Sequence, residues 1–218
     1  NYPGAKRFDG MILWWAGVGG PTALPGDYKV RLTVNEKSQT QPFTILKDPR
    51  SPATQQQMKA QFDFVQAVTN KLTETHEAII KIRDVRKQLN DYKERIKPDE
   101  NMKDVVKMAA AIDSVMTKVE ETLYQTKNRS GQDPLNFPIR LNNKLAHLNA
   151  LTGIGDDAPT EQAIAVKEEL TKDIDVQLAI LKKVFETDVP AFNKLVKEKA
   201  ADIIILKKEE PDGKKKEK

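Results

Sequence analysis

Residues 52–96 read PATQQQMKAQFDFVQAVTNKLTETHEAIIKIRDVRKQLNDYKERI, and this stretch decides the fold. After Pro52 it contains neither glycine nor proline, and its apolar residues recur at steps of three and four, which predicts one face of a long helix. At 1.5 Å per residue this helix would be roughly 65 Å long, so later segments have to fold back along it. The apolar face comprises Met58, Phe62, Val65, Val68, Leu72, Ile79, Ile82, Val85, Leu89, Tyr92 and Ile96.

Three further helices are predicted after this one. A turn at Lys97-Pro98 makes the first two helices an antiparallel hairpin, a short third helix ends at Gly153, and a fourth opens at Pro159 and is broken or kinked at Pro190. We expect their inward residues to be Met102, Val105, Val106, Ala109, Ile112, Val115, Val119 and Leu123, then Leu141, Leu145, Leu148 and Leu151, then Ala163, Val166, Leu170, Ile174, Leu178, Leu181, Val184 and Phe185.

The region before the long helix has a β composition. A short strand is predicted over 11–15, where the residues are all apolar. Two further strands are predicted over 28–34 and 41–47, with a turn over 35–38, because apolar residues alternate with polar ones there, and we expect their apolar face to be buried. An immunoglobulin-like sandwich needs about seven strands. We therefore expect the end of a partial antiparallel β-sandwich whose other strands precede it in a longer chain.

The fold class predicted is mainly α, an antiparallel helical bundle with a long helical hairpin, preceded by that Ig-like partial sandwich. Ser51 is expected to cap the long helix and Pro52 to start it. A last apolar run follows at 203–206. The chain divides into strands over 1–48, a proline-rich hinge over 49–52, the bundle over 53–206 and a charged mobile tail over 207–218.

Composition excludes several classes of function. The 36 basic and 32 acidic side chains of the 218 residues nearly cancel to +4 and interleave along the helices, which argues against a nucleic-acid binder. The absence of cysteine excludes disulfides and thiol chemistry. No apolar run reaches the 18 or so residues of a membrane span. The start, Asn1-Tyr2-Pro3-Gly4, lacks a signal-peptide pattern, and we expect a piece of a longer protein.

Residue patterns typical of catalysis are weak. His76 and His147 lie on different helices without a Glu-x-x-His repeat, so ordinary polar packing is favoured over a metal site. Neighbouring carboxylates are expected on solvated helix surfaces, where they cannot act as a glycosidase pair: Glu120/Glu121, Glu168/Glu169 and Asp173/Asp175. The glycines at 17, 19 and 20 precede no helix, unlike a phosphate-binding loop. We predict neither an enzyme nor a cofactor.

Four residues are candidates for interaction or interdomain packing. Trp14 and Trp15 are adjacent in a predicted strand, so one is expected in the core and the other on the surface, where it could stack on a sugar. Met58 and Phe62 lie near the start of the long helix and are expected to be shared between the bundle and the sheet.

Several motifs resemble the C-terminal part of large bacterial sortilin-like proteins, which carry Asp-box (BNR) repeats and are often labelled glycosyl hydrolases. They cover nearly the whole chain: YPGA at 2–5, FDGM at 8–11, GP at 20–21, LPGDYKVRLTV at 24–34, TQPF at 40–43, KDPR at 47–50, DPLNFPIRLNNK at 133–144 and APT at 158–160. The resemblance implies N-terminal β-propellers, an Ig-like module and this helical region, exported to the periplasm or cell surface. The chain has none of the Asp-box repeats to which a hydrolase label would attach.

The function predicted is a non-catalytic structural and protein-interaction module at the C-terminus of an exported sortilin-like propeller protein. Its partners would be the propeller domains of the same longer chain or a protein of the cell envelope. Two alternatives stay open: a carbohydrate-binding accessory region of a glycoside-hydrolase-like protein, and a subunit of a cell-envelope complex.

Overall fold

The computed structural model describes residues 1–96 and 99–199. Helices account for 60% and strands for 9%, so the mainly helical class and the antiparallel pairing of strands are confirmed. Within the described residues the strands form a two-stranded sheet, which is not an Ig-like sandwich. The predicted turn at Lys97-Pro98, the apolar run at 203–206 and the tail at 207–218 lie outside the described residues.

Helix α1 spans Gln55–Ile96 and is the longest element. Its first turn is closed by a capping box: the Thr54 hydroxyl accepts from the Gln57 amide N–H at 3.2 Å, and Gln57 Oε1 accepts from the Thr54 N–H at 2.8 Å. The prediction that Ser51 caps the helix and Pro52 starts it is wrong by about one turn. The reciprocal Thr-x-x-Gln pair provides acceptors for two backbone N–H groups at the start of the helix. A start at Pro52 would lack such a pair.

The buried face of α1 forms the core of the whole body. Three of the helices that follow it and the N-terminal segment pack on it, and its residues with no measurable exposure are Val68, Leu72, Ile79 and Ile82. A 3-10 turn, Glu100–Met102, leads into α2, Lys103–Leu123, and the chain continues through a 3-10 turn, Asp133–Leu135, to α3, Leu141–Thr152. Gly153 ends α3 as predicted.

The fourth helix is α4, Glu161–Lys183, and it continues through a π turn, Val184–Asp188, into α5, Val189–Glu198. Thr160 caps α4 by accepting from the Ala163 N–H at 3.2 Å. The interruption predicted at Pro190 takes the form of this π turn, since proline lacks the N–H and its ring clashes with the preceding turn of an α-helix.

Two predicted inward residues point outward. Leu151 is 64% exposed and Val166 is 42% exposed. Both line an open groove beside the connection from α3 to α4. Met116, absent from the predicted face of α2, is fully buried instead.

The N-terminal segment is extended and packs on the helices. Ala5, Phe8 and Met11 belong to the same apolar core as α1. The strand predicted over 11–15 is therefore wrong: the Ile12 N–H donates to the Tyr124 hydroxyl at 3.0 Å, and helix side chains replace the partner strand. Residues 2–5 run back against 18–21, and a Cβ at Gly20 would lie 2.3 Å from the Tyr2 carbonyl oxygen.

The sheet is a single hairpin of β1, Gly26–Val34, and β2, Lys37–Ile45. The turn is shorter than the 35–38 predicted, because Asn35 and Glu36 both take positive φ, 46° and 67°, and form a two-residue turn of type I′. Val34 therefore pairs with Lys37, and Tyr28 with Phe43. The pairing puts the apolar residues of both strands on one face, as the alternation predicts, but that face is mostly exposed and the prediction that it is buried is wrong.

We expect Thr54→Ala to lower the free energy of unfolding by about 1 kcal/mol, because the first turn of α1 loses an N-cap. Urea denaturation followed by circular dichroism measures the change. Ser51→Ala is the matched control and should leave stability unchanged. Equal losses in the two variants would contradict the assigned start of α1.

Candidate interaction surface

On one face of the hairpin the β1 half is apolar and open to solvent, whereas the β2 residues paired with Val30, Leu32 and Val34 are polar: Gln41, Gln39 and Lys37. Val30, Leu32 and Val34 are 55%, 66% and 57% exposed, and Phe43 on the paired strand is 46% exposed. Tyr28 stacks on Phe43 with ring centroids 5.8 Å apart. Single exposed apolar residues are ordinary, but a contiguous patch on one sheet face marks an interaction site.

The opposite face of the hairpin is polar. Thr44 donates a hydrogen bond to Asp27 at 2.7 Å, and the Thr33 and Ser38 hydroxyls lie 2.8 Å apart. Lys29 and Arg31 lie between these two contacts and are exposed. The two faces of β1 thus differ as in a strand with one side buried, although that side of β1 is exposed.

The base of the hairpin opens onto a groove of about 470 Å³. Met58, 7% exposed, and Phe62 line it together with Ile45 of β2. The ring of Phe62 also meets Tyr2 edge to face at 4.9 Å. The structure therefore places both predicted residues of α1 where the hairpin, the N-terminal segment and the bundle converge.

The two tryptophans lie on the N-terminal segment, at the side of the bundle formed by α3. Asn143 accepts from the Trp14 N–H at 2.7 Å and donates to its carbonyl at 2.9 Å, and His147 Nε2 donates to the same carbonyl at 2.6 Å. Trp14 is half-buried, whereas Trp15 is 80% exposed with a φ of 48°. The left-handed backbone turns the second ring out to solvent, 6.1 Å from the first.

A second polar contact holds the segment further upstream. His76 is fully buried, its Nδ1 donates to the Lys6 carbonyl at 2.5 Å, and its Nε2 accepts from the Asn142 amide at 3.2 Å. Burial lowers the pKa of His76, and nearby Arg7 lowers it further, against the opposing effect of the Lys6 hydrogen bond. The folded chain thus keeps this imidazole neutral.

An ion cluster joins α1 to α2. The Glu120 carboxylate is 3% exposed and accepts from Arg83 at 2.7 Å and from Arg86 at 2.5 Å; Arg86 also donates to Asp113 at 2.8 Å. Burial would lower the pKa of Arg86, but the hydrogen bonds to both carboxylates raise it overall. The prediction that Glu120 lies on a solvated surface is wrong, because two guanidinium groups compensate its charge.

The predicted candidates are not brought together into one site. Trp14 and Trp15 lie beside α3, while Met58 and Phe62 lie at the base of the hairpin. Sequence reasoning missed Asn142 and Asn143. The position of Asn142 was readable from the sequence, because it lies three residues before Leu145 and so shares the buried face of α3. Among residues 1–96 and 99–199 no three metal-binding side chains converge.

Helices in the described part of the chain are all too short or too polar to cross a membrane. Comparison with protein-family models, with curated proteins and with solved structures finds no match to this chain.

Acid should destabilise the fold through His76. Because its folded pKa lies below the ordinary value of 6.5, the unfolded chain binds the proton first, and stability falls as the pH drops below about 6.5. Thermal unfolding at about pH 7.5 and about pH 5.5 measures this. His76→Gln should be less stable at neutral pH and lose less on acidification. His147→Gln is the control, and an equally reduced acid response in it would contradict the assignment to His76.

Glu120→Gln should lower the free energy of unfolding by about 2–3 kcal/mol, because two partly buried arginines lose their charged partner. Glu121→Gln, on the adjacent exposed position of α2, should change it by less than about 0.5 kcal/mol. Denaturant titration of both variants decides. Similar small changes in the two would mean that the cluster adds no net stability.

Proposed function

We propose that this chain is a non-catalytic protein-interaction module whose docking element is the β1–β2 hairpin. The observation that carries the proposal is the uncovered apolar face of the hairpin, from Val30 to Val34 on β1 and at Phe43 on β2. A two-stranded hairpin is marginal in water and gains stability when a further strand or another surface covers its apolar face.

The helices offer less reason to dock. The apolar face of α1 is already buried by the other helices and the N-terminal segment, so it is an internal core. The ion cluster around Glu120 is likewise internal, with both of its arginines committed. The exposed row of apolar side chains on β1 thus favours the hairpin as the part of the chain that contacts a partner.

In the finer form of the proposal, the chain is the C-terminal module of a larger exported sortilin-like propeller protein in the periplasm or at the cell surface. The hairpin would then be the last two strands of an Ig-like sandwich. The segment LPGDYKVRLTV that supports the resemblance coincides with β1 and the residues leading into it. The partners would be the propeller domains of that longer chain or a protein of the cell envelope.

A carbohydrate-binding role is the second candidate, and Trp15 favours it. Its ring is 80% exposed on a strained left-handed backbone, and strain of this kind is often retained at binding sites. A glycan array probed with the full chain and with Trp15→Ala tests it. Binding that is absent, or unchanged in the variant, excludes this role for Trp15.

Site-specific photo-crosslinking tests the interaction function. A photoreactive phenylalanine analogue replaces Leu32 on the apolar row of β1 or Thr40 on the polar face of β2, and the chain is expressed in the cells from which its sequence comes. We expect a fixed set of crosslinked proteins from Leu32 that is much reduced from Thr40. Equal and diffuse products from both positions would overturn the proposal.

A further inference from the structure

The two free edges of the hairpin differ. In a hairpin closed by a two-residue turn, the pair next to the turn, Val34 and Lys37, exchanges both backbone hydrogen bonds, and every second pair repeats this. The intervening residues point their N–H and C=O groups outward. On β1 these are Asp27, Lys29, Arg31 and Thr33, and on β2 they are Ser38, Thr40, Pro42 and Thr44.

Pro42 closes one of these edges to a neighbour. It occupies an outward position of β2, where its missing N–H removes a donor from the middle of the edge. The β1 edge carries no proline and keeps all four outward donors. No third strand of the described residues lies beside it. A strand can therefore extend the sheet at β1 and is disfavoured at β2.

The side chains on this edge select the chemistry of the neighbour. Lys29 and Arg31 project from the polar face, and the residues opposite them on β2, Pro42 and Thr40, do not neutralise them. Asp27 is already engaged by Thr44 at the base. A strand laid along β1 would place alternate residues beside Lys29 and Arg31, where carboxylates are favourable, and its other residues would extend the apolar face.

A second copy of this chain is a poorer occupant. The antiparallel register that overlaps all nine residues of two β1 strands sets Val30 opposite Val30. Lys29 of each copy then faces Arg31 of the other, and two like-charged pairs lie directly opposite, which is destabilising. The positive charge thus works against pairing of this edge with itself.

We infer that the outer edge of β1 binds an extended segment of a protein partner in which apolar residues alternate with acidic ones. The segment adds a third strand to the sheet, its acidic side chains pairing with Lys29 and Arg31 and its apolar side chains continuing the face of Val30 and Leu32. This inference rests on the proposed interaction function and specifies the edge and the chemistry of the partner.

Peptide binding to the full chain tests the charge requirement. Two labelled nine-residue peptides are compared by fluorescence polarisation, one alternating valine with glutamate and one alternating valine with lysine. We expect the glutamate peptide to bind about tenfold more tightly. In the double variant Lys29→Glu/Arg31→Glu the order should reverse. Equal binding of the two peptides, or no binding of the glutamate peptide at millimolar concentration, overturns the inference.

A matched pair of proline variants tests the edge. Thr33→Pro and Ser38→Pro face each other, lose the same hydroxyl contact and each remove one outward N–H, on β1 and β2 respectively. Only Thr33→Pro should weaken the glutamate peptide, by about tenfold. Amide signals of Val34 and Lys37 report whether the hairpin stays formed. If a proline variant loses the hairpin, the inference is judged by the Lys29→Glu/Arg31→Glu variant alone. If both hairpins stay formed and the two prolines weaken peptide binding equally, the choice of the β1 edge is overturned.

Failure of this inference and failure of the proposed function are distinguishable. Crosslinks from Leu32 without binding of the glutamate peptide would leave the interaction function standing on the apolar face and overturn the strand addition at β1. Binding of the peptide without a fixed set of crosslinks would support the edge as a strand-binding site and overturn the cellular interaction function.

Discussion

Burial of one continuous face of α1 is the constraint from which the rest of the body follows. Val68, Leu72, Ile79 and Ile82 have no measurable exposure, because helices pack on one side of them and the N-terminal segment on another. A helix of 42 residues has far too large an apolar face to stay in water, and the energy of covering it exceeds any local preference of the segments that do so. Segments with quite different local sequences therefore meet along one rod.

Hydrogen bonds from side chains of the bundle fix the position of the N-terminal segment in that core. Backbone groups of the segment form hydrogen bonds with side chains of the bundle. Ile12 is bonded to Tyr124, and Lys6 is bonded to His76. Trp14 is bonded to Asn143 and His147. A buried backbone group without a partner costs free energy comparable to a lost hydrogen bond. These side chains therefore satisfy the backbone hydrogen bonds of the segment, as a neighbouring strand does in a sheet. Because they hold Trp14 against α3, they also determine that Trp15 is the exposed tryptophan.

Periodicity in the sequence was sufficient to predict the long helix, the order of the helices after it and the faces of β1 and β2. These depend on local repeats of 3.6 and 2 residues, which a single sequence carries. The position of residues 11–15 depends on contacts with side chains more than a hundred residues away, so strand composition misassigned it. The burial of Glu120 also depends on another segment, since its two arginine partners lie on α1, 37 and 34 residues away. The uncovered hairpin face was predicted as a buried one, since alternation indicates that a face is apolar but not what covers it.

The hydrogen bonds to the backbone of Trp14 also limit the order in which parts of the chain can fold during synthesis. Trp14 is bonded to residues 129 and 133 positions later, so its backbone groups have no native partner until α3 has emerged. Phe8, packed edge to face on His76 and Tyr124, waits almost as long. Residues 8–14 are thus made well before the helices that enclose them, and contacts of such long sequence separation slow folding. Until α3 has formed, the apolar side chains of this segment lack part of the surface that buries them in the folded chain.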